Sequence, residues 1–134
     1  MEKNKPLTDI SEINFNTLDN ILKFFCVYHQ KEDVLFLGPP QPVAAVSIDL
    51  NGELWLRVEP LSKEIVGIEI EDFQLIFLKN HPELSDAWKA IKVKCRNRKA
   101  IESNDNPALK IILSFAQNFV RVNLRLLLPD LLVA

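Results

Sequence analysis

The chain has 134 residues, of which 48% are hydrophobic, and its 16 Lys and Arg residues against 18 Asp and Glu residues give a formal net charge of -2. The apolar content excludes an intrinsically disordered chain, and the balanced charge excludes a uniformly basic nucleic-acid-binding protein. A chain of this length can bury roughly two-thirds of its unfolded surface, so we expect a single domain over residues 1–134.

The N-terminal residues predict no targeting signal. Residues 1–10 mix acidic and basic side chains and no apolar run follows them, so we expect a cytoplasmic protein. The longest uncharged run that is compatible with a helix, residues 111–120, is half as long as a bilayer requires, and no membrane partner is expected. Cys26 and Cys95 are predicted to be free thiols in the core. Cys26 and His29 supply only half of a tetrahedral ligand set, so neither a metal nor a cofactor is expected.

The first predicted elements are a short helix and a β-hairpin. Apolar residues recur at helical spacing after Thr17, a candidate N-cap, and this pattern favours a helix that ends near Lys23. Aromatic and β-branched residues then predict a strand over residues 24–28, a turn over 29–33 and a second strand over 34–37. Prolines after the second strand predict an irregular connection.

A three-stranded meander is predicted over residues 44–70, where apolar and polar side chains alternate. A loop of Leu50, Asn51 and Gly52 would keep apolar residues on one face, and the next turn spans residues 60–64. The predicted pairs are Ile48 with Leu54, Val46 with Leu56, Val58 with Val66 and Leu56 with Ile68.

The two faces of this meander differ in polarity. The apolar face is expected to pack against helices and consists of Val46, Ile48, Leu54, Leu56, Val58, Val66, Ile68 and Ile70. The other face carries Trp55 and Asp49, with Trp55 opposite Glu69 and leaning over Gly67, and Arg57 reaching Glu69 diagonally. Tryptophan and arginine are enriched in binding hot spots, so Trp55, Arg57, Glu69 and Asp49 form the candidate interaction patch.

Helices are predicted after the meander. Asp72 is a candidate cap for the first, and Asn80 with Glu83 has the spacing of a capping box for the second, which gives a helical pair over residues 73–99. The polar residues 96–106 predict a loop. Asn106 followed by proline predicts a last element over residues 107–128. One long helix and a helix followed by a strand both fit this segment, and one long helix is slightly favoured because no glycine or proline interrupts it. The leucine-rich tail after it predicts a subunit interface.

The predicted fold is therefore α+β, an antiparallel β-meander of four or five strands (residues 24–72) followed by packed helices. The segments Tyr28-His29-Gln30-Lys31-Glu32-Asp33-Val34-Leu35-Phe36 and Glu64-Ile65-Val66-Gly67-Ile68-Glu69-Ile70 resemble a small bacterial domain of unknown function, with patterns near Y-x-x-E-x-D-x-L-Y and V-V-G-I-E-I. This chain departs from the pattern at His29, where Asp is usual, and by a Pro-rich insertion. The resemblance implies a compact antiparallel meander and supplies no catalytic residues.

Catalytic motifs are weak in this sequence. Its three glycines form no phosphate-binding loop, and no serine lies in a Gly-x-Ser-x-Gly turn. His29 and His81 are isolated, and a capping or surface role is expected for His81. Carboxylates cluster on or beside the meander, at Asp49, Glu53, Glu59, Glu69, Glu71 and Asp72. Two of them could act as acid and base if burial raised one pKa, although a solvated strand face explains their spacing better.

A run of basic residues follows the predicted start of the second helix. On a helix, Lys89, Lys92, Arg96 and Lys99 would fall within an arc of roughly 80° and form a candidate nucleic-acid-binding ridge. A solvated or partner-facing helix end is favoured, because no aromatic residue interleaves these side chains for base stacking.

We therefore expect a non-catalytic, oligomerising protein-interaction module that forms a homodimer and binds a further protein partner of unknown identity. Unpaired strand edges and the apolar tail are the features that favour self-association. Weak nucleic-acid binding and a small carboxylate-dependent hydrolase are the two alternatives.

Overall fold

The computed structural model describes residues 12–41, 43–95, 100–102 and 106–127, and it confirms the α+β class. The strands are β1 (Phe25–His29), β2 (Val34–Gly38), β3 (Val46–Leu50), β4 (Leu54–Val58) and β5 (Ile65–Ile70). The helical elements are an N-terminal 3-10 helix (Phe15–Lys23), a π-helical turn (Phe73–Phe77) that continues into α1 (Leu78–Asn80), a 3-10 turn (Pro82–Leu84), α2 (Ser85–Cys95) and α3 (Pro107–Leu127).

The sheet is antiparallel throughout, with the strand order β1-β2-β5-β4-β3. Strands β3 to β5 form the predicted meander, whereas the β1–β2 hairpin joins the sheet through pairing of β2 with β5. The connection from β2 to β3 therefore crosses β5 and β4 to reach the far edge. The predicted meander of four or five strands is thus a three-stranded meander extended by a hairpin.

The predicted register between β3 and β4 is wrong by two residues. Leu50 pairs with Leu54 and Ile48 pairs with Leu56, so the loop contains residues 51–53. Both Asn51 (φ 59°) and Gly52 (φ 73°) take the left-handed conformation, and the Glu53 N–H donates to the Leu50 carbonyl at 3.2 Å. This tight turn makes Leu50 the last residue of β3. A register shift of two residues leaves each side chain on the same face of the sheet, so the apolar face is preserved.

The register between β4 and β5 is confirmed at Leu56 with Ile68 and at Trp55 with Glu69. It is wrong at the end of the pair, because a β-bulge between Arg57 and Val58 places Val58 opposite Ile65. A bulge moves the following residues to the other face. Ile65 is therefore fully buried, and the predicted core residue Val66 is only half-buried.

The helices cover one face of the sheet and form a single core with it. The 3-10 helix packs against α3 and β5, and α2 packs against α3 and β1. The core residues that the strands contribute are Cys26, Tyr28, Leu35, Leu37, Leu50, Leu54, Leu56, Val58, Ile65, Ile68 and Ile70. The predicted core residues Val46 and Ile48 are only half-buried, since β3 is an edge strand.

One long helix is confirmed at the C-terminal end of the described chain. The Asn106 side chain accepts the Leu109 N–H at 3.1 Å, which is the predicted cap, and α3 then runs without interruption to Leu127. The alternative strand over the second half of this segment is wrong. Ala116, Val120 and Leu124 point into the core at helical spacing, and this burial decides between the two periods.

The predicted caps of the other helical elements are corrected. Asn14, and not Thr17, caps the 3-10 helix, because its side chain accepts the Asn16 N–H at 3.1 Å. Asp72 makes no side-chain cap and has a left-handed backbone with φ of 51°. Asn80 ends α1, so His81 takes the cap position before the turn that begins at Pro82. The first strand begins at Phe25, one residue later than predicted, and the side chain of Phe24 is buried.

Candidate functional site

The sheet has a second face that the helices leave uncovered. Burial alternates along the strands, so the side chains that point away from the helices are half-buried or exposed. We call this surface the open face. One cross-strand row of directly paired residues runs over it from β3 to β1, in the order Asp49, Trp55, Glu69, Phe36 and Val27.

Arg57 lies in the next row of the open face, between Ser47 and Gly67. A Cβ atom on Gly67 would stand 3.4 Å from both Cβ and Cδ of Arg57, so the absence of a side chain lets the Arg57 stem lie against the backbone. The guanidinium donates to Ser47 Oγ at 3.2 Å and lies 4.0 Å from Glu69 Oε1. The predicted Arg57–Glu69 contact is therefore confirmed.

Trp55 is placed differently from the prediction. Its indole N–H donates to Glu71 Oε1 at 3.2 Å, and Arg57, which is directly opposite Gly67, lies over that glycine instead. Asp49 accepts the Gly52 N–H at 3.2 Å and so stabilises the β3–β4 turn. The four predicted patch residues are brought together, and Asp49 has a structural role among them.

A groove of about 360 Å³ continues the open face toward the β1–β2 hairpin. Its lining residues are His29, Glu32, Val34, Phe36, Arg57 and Glu69. The groove thus combines two apolar side chains with charged ones. Sequence reasoning missed Val34 and Phe36, because a short apolar run gives no sign of which alternate residues remain uncovered.

A second cavity, of about 200 Å³, lies between the β3–β4 turn and the π-helical turn. We call it the acidic cleft, because its lining includes Asp49, Glu53, Glu71 and Asp72. Glu53 Oε1 also lies 2.6 Å from His81 Nε2, and both side chains are partly buried. The histidine that sequence reasoning expected to be isolated therefore pairs with a carboxylate.

The His81 ring is held among aromatic side chains. Its centroid lies 4.4 Å from that of Phe77, 5.2 Å from that of Phe115 and 5.5 Å from that of Phe119. His81 thus connects the β3–β4 turn, through Glu53, to α3. No sequence signal predicts this pair, because Glu53 and His81 lie on separate elements that only tertiary packing brings together.

A partly buried polar network lies under the β1–β2 hairpin. Tyr28 Oη donates to Asp33 Oδ1 at 2.7 Å, Gln74 Nε2 donates to Tyr28 Oη at 3.0 Å, and Trp88 Nε1 donates to Gln74 Oε1 at 2.7 Å. Burial raises the pKa of the Tyr28 phenol well above its ordinary value. Each member has a partner within the network, so its role is to join the hairpin to the helices.

The other candidate residues are not brought into a site. Lys89 is exposed and Lys92 is half-buried on α2, whereas Arg96 and Lys99 lie outside the described residues, so the basic ridge stays a prediction. Cys26 faces the core and His29 the open face, which separates this pair of candidate metal ligands. Among the residues that the structure describes, no group of three or more His, Cys, Asp and Glu side chains could hold a metal ion.

Within the described ranges, no helix combines the length and the apolar composition that a bilayer-spanning helix needs. No protein-family model, no curated protein and no solved structure matches this chain.

Proposed function

We propose that this chain is a non-catalytic protein-interaction module whose recognition surface is the open face. The observation that carries the proposal is the row of Asp49, Trp55, Glu69 and Phe36 on a sheet face without a helical cover. Two aromatic rings beside Arg57 give the composition that is typical of binding hot spots. The sheet holds these side chains in fixed positions, which lowers the entropic cost of binding.

The charge around the open face favours a particular partner chemistry. Glu32 and Glu69 line the groove, and Asp49 and Glu71 flank Trp55, whereas Arg57 is the formal positive charge among them. Complementary potentials steer binding partners to one another. The surface therefore fits a protein segment that presents an apolar side chain to the groove and basic side chains to the carboxylates.

Self-association is the second part of the proposal. Within the described ranges, β3 pairs with β4 alone, so its outer edge can accept another strand. Four large apolar side chains of α3, Ile111, Val122, Leu126 and Leu127, are also exposed. A two-fold dimer would bury either surface against its copy, and we propose a homodimer.

The test of recognition uses peptides selected from a random phage-displayed library on the wild-type protein. We expect the selected peptides to be enriched in Lys and Arg beside apolar residues and to bind the double variant Trp55→Ala/Glu69→Gln at least about tenfold more weakly, as loss of a hot spot implies. Fluorescence polarisation measures the affinity. Peptides that bind this double variant as tightly as the wild type would show that recognition lies elsewhere.

The matched control is Glu83→Gln, which removes an exposed carboxylate from the helical side and should leave peptide affinity unchanged. Circular dichroism should place the Tm of all variants within a few degrees of one another. Light scattering on the same samples should give twice 15.4 kDa. A mass of one chain contradicts the homodimer and leaves the recognition proposal standing.

A second candidate function is a small carboxylate-dependent hydrolase at the acidic cleft, and the Glu53–His81 pair is the observation that favours it. In this function Glu53 would accept a proton from water, and His81 would be a positioning residue, since it lies behind Glu53 and outside the cleft lining. A second carboxylate, Glu71 or Asp72, would then protonate the leaving group.

If the cleft is catalytic, chromogenic esters and phosphodiesters are turned over by the wild type and by the control variant Glu83→Gln. Both Glu53→Gln and His81→Ala should then lose about 10²-fold or more in rate, as removal of a general base implies. Equal rates for the wild type and Glu53→Gln would exclude the hydrolase.

A further inference from the structure

Two buried thiols lie at the contact between α2 and β1. Cys26 is in β1 and Cys95 is the last residue of α2, and neither side chain is exposed. Helix α2 packs against β1, and the rings of Trp88 and Tyr28 meet there with centroids 4.9 Å apart. The helix is therefore held over the strand on the N-terminal side of Cys95.

The chain is also held on the other side of Cys95. Ile101 forms an isolated antiparallel bridge with Cys26, in which the Cys26 N–H donates to the Ile101 carbonyl at 2.9 Å and the Ile101 N–H donates to the Cys26 carbonyl at 3.0 Å. Backbone pairing to Cys26 thus begins again shortly after Cys95. Segments on both sides of Cys95 therefore contact β1, one of them at Cys26 itself.

The thiols interact directly and unequally. The hydrogen bond from Cys26 lowers the pKa of the Cys95 thiol, and the same hydrogen bond, with burial, raises the pKa of the Cys26 thiol. A thiolate and not a thiol is the nucleophile in sulfur chemistry. On this basis Cys95 would be the sulfur that reacts first, and Cys26 would be its proton-bearing neighbour.

We propose that Cys26 and Cys95 are a redox pair that a hydroperoxide converts to a reversible intramolecular disulfide. The Cys95 thiolate attacks the O–O bond, which breaks to release an alkoxide or hydroxide and leaves a sulfenic acid on Cys95. The Cys26 sulfur, after losing its proton to the leaving group, attacks the Cys95 sulfur and displaces hydroxide. Two electrons pass from the thiols to the peroxide, and the products are the disulfide, an alcohol or water, and one further water.

The position of this bond gives it a structural effect. The loop that it closes runs from β1 to the end of α2 and so contains every strand of the sheet. Closing a long loop removes much of the conformational freedom of the unfolded chain. Oxidation would therefore stabilise the whole sheet and not only the contact between α2 and β1.

The experiment treats the wild-type protein with hydrogen peroxide and counts thiols after denaturation. We expect both thiols to disappear together, the intact mass to fall by two hydrogen atoms, and the Tm to rise by about 10 °C. Dithiothreitol should reverse all three changes. The proposal is overturned if oxidised wild type keeps both thiols, gains oxygen without losing hydrogen, or links into covalent dimers.

The single variants separate the two roles. In Cys26→Ser, Cys95 should form a sulfenic acid that dimedone traps, because the resolving thiol is gone. In Cys95→Ser, Cys26 should stay unmodified over the same time, since burial, which this substitution leaves in place, raises the pKa of its thiol. Equal dimedone labelling of the two variants would contradict the order of reaction, and the thiol count of the wild type tests the bond itself without either substitution.

Discussion

Replacing Asp33 with alanine is expected to lower the free energy of unfolding by about 3 kcal/mol. The Asp33 carboxylate accepts the Tyr28 hydroxyl at 2.7 Å, the Gln74 N–H at 2.9 Å and the Leu75 N–H at 3.0 Å. Alanine leaves these donors without a partner, the Tyr28 hydroxyl in a buried side chain among them. It must also adopt the left-handed backbone of Asp33, with φ of 58°. Urea unfolding followed by circular dichroism measures the loss.

The matched control is Asp33→Asn. Asparagine keeps an oxygen acceptor at the same position and tolerates a left-handed backbone, so we expect a loss of about 1 kcal/mol. If the alanine and asparagine variants are equally stable, the network does not join the hairpin to the helices. The comparison thus tests the hydrogen bonds separately from the negative charge.

Replacing Phe73 with alanine is expected to cost about 4 kcal/mol, the largest effect of any variant considered. Phe73 has no exposed surface, and its ring lies 4.8 Å from that of Trp88, 5.9 Å from that of Phe77 and 6.4 Å from that of Tyr28. Alanine leaves a cavity among three rings, and two of them, Tyr28 and Trp88, are held in place by other elements, so we expect little collapse of the site.

Leu75→Ala is the control for Phe73, because Leu75 belongs to the same π-helical turn and is 59% exposed. We expect this change to stay within about 0.5 kcal/mol of the wild type. Urea midpoints of the two variants give the comparison. A small loss for Phe73→Ala would mean that the aromatic cluster rearranges to fill the cavity.

Alternation and turn residues were sufficient to predict the strands but not their order in the sheet. The strands, the apolar face and the pairing of Leu56 with Ile68 follow from a side-chain period of two, which the structure keeps. The same pattern does not show how many residues the β3–β4 loop contains, because both Asn51 and Gly52 can take positive φ. The prediction therefore placed the β3 and β4 side chains on the correct faces of the sheet but paired them with the wrong partners.

Tertiary contacts explain what the sequence left open. The candidate patch could be predicted because Trp55, Arg57 and Glu69 are neighbours in a local meander. The groove around Phe36 and the Glu53–His81 pair could not, since each depends on strands or helices that are distant in sequence. Burial of Val120 and Leu124 likewise decided that α3 is one helix, the slightly favoured of the two predictions that the sequence allowed.

The junction of β2 with β5 has a consequence for how the chain folds. The hairpin and the meander can each form by local contacts, but the β2–β5 junction must bring together strands that β3 and β4 separate in the chain. Closing such a long segment costs conformational entropy before its hydrogen bonds form, and non-local pairing slows folding. We therefore expect this junction to form later than the hairpin and the meander that it joins.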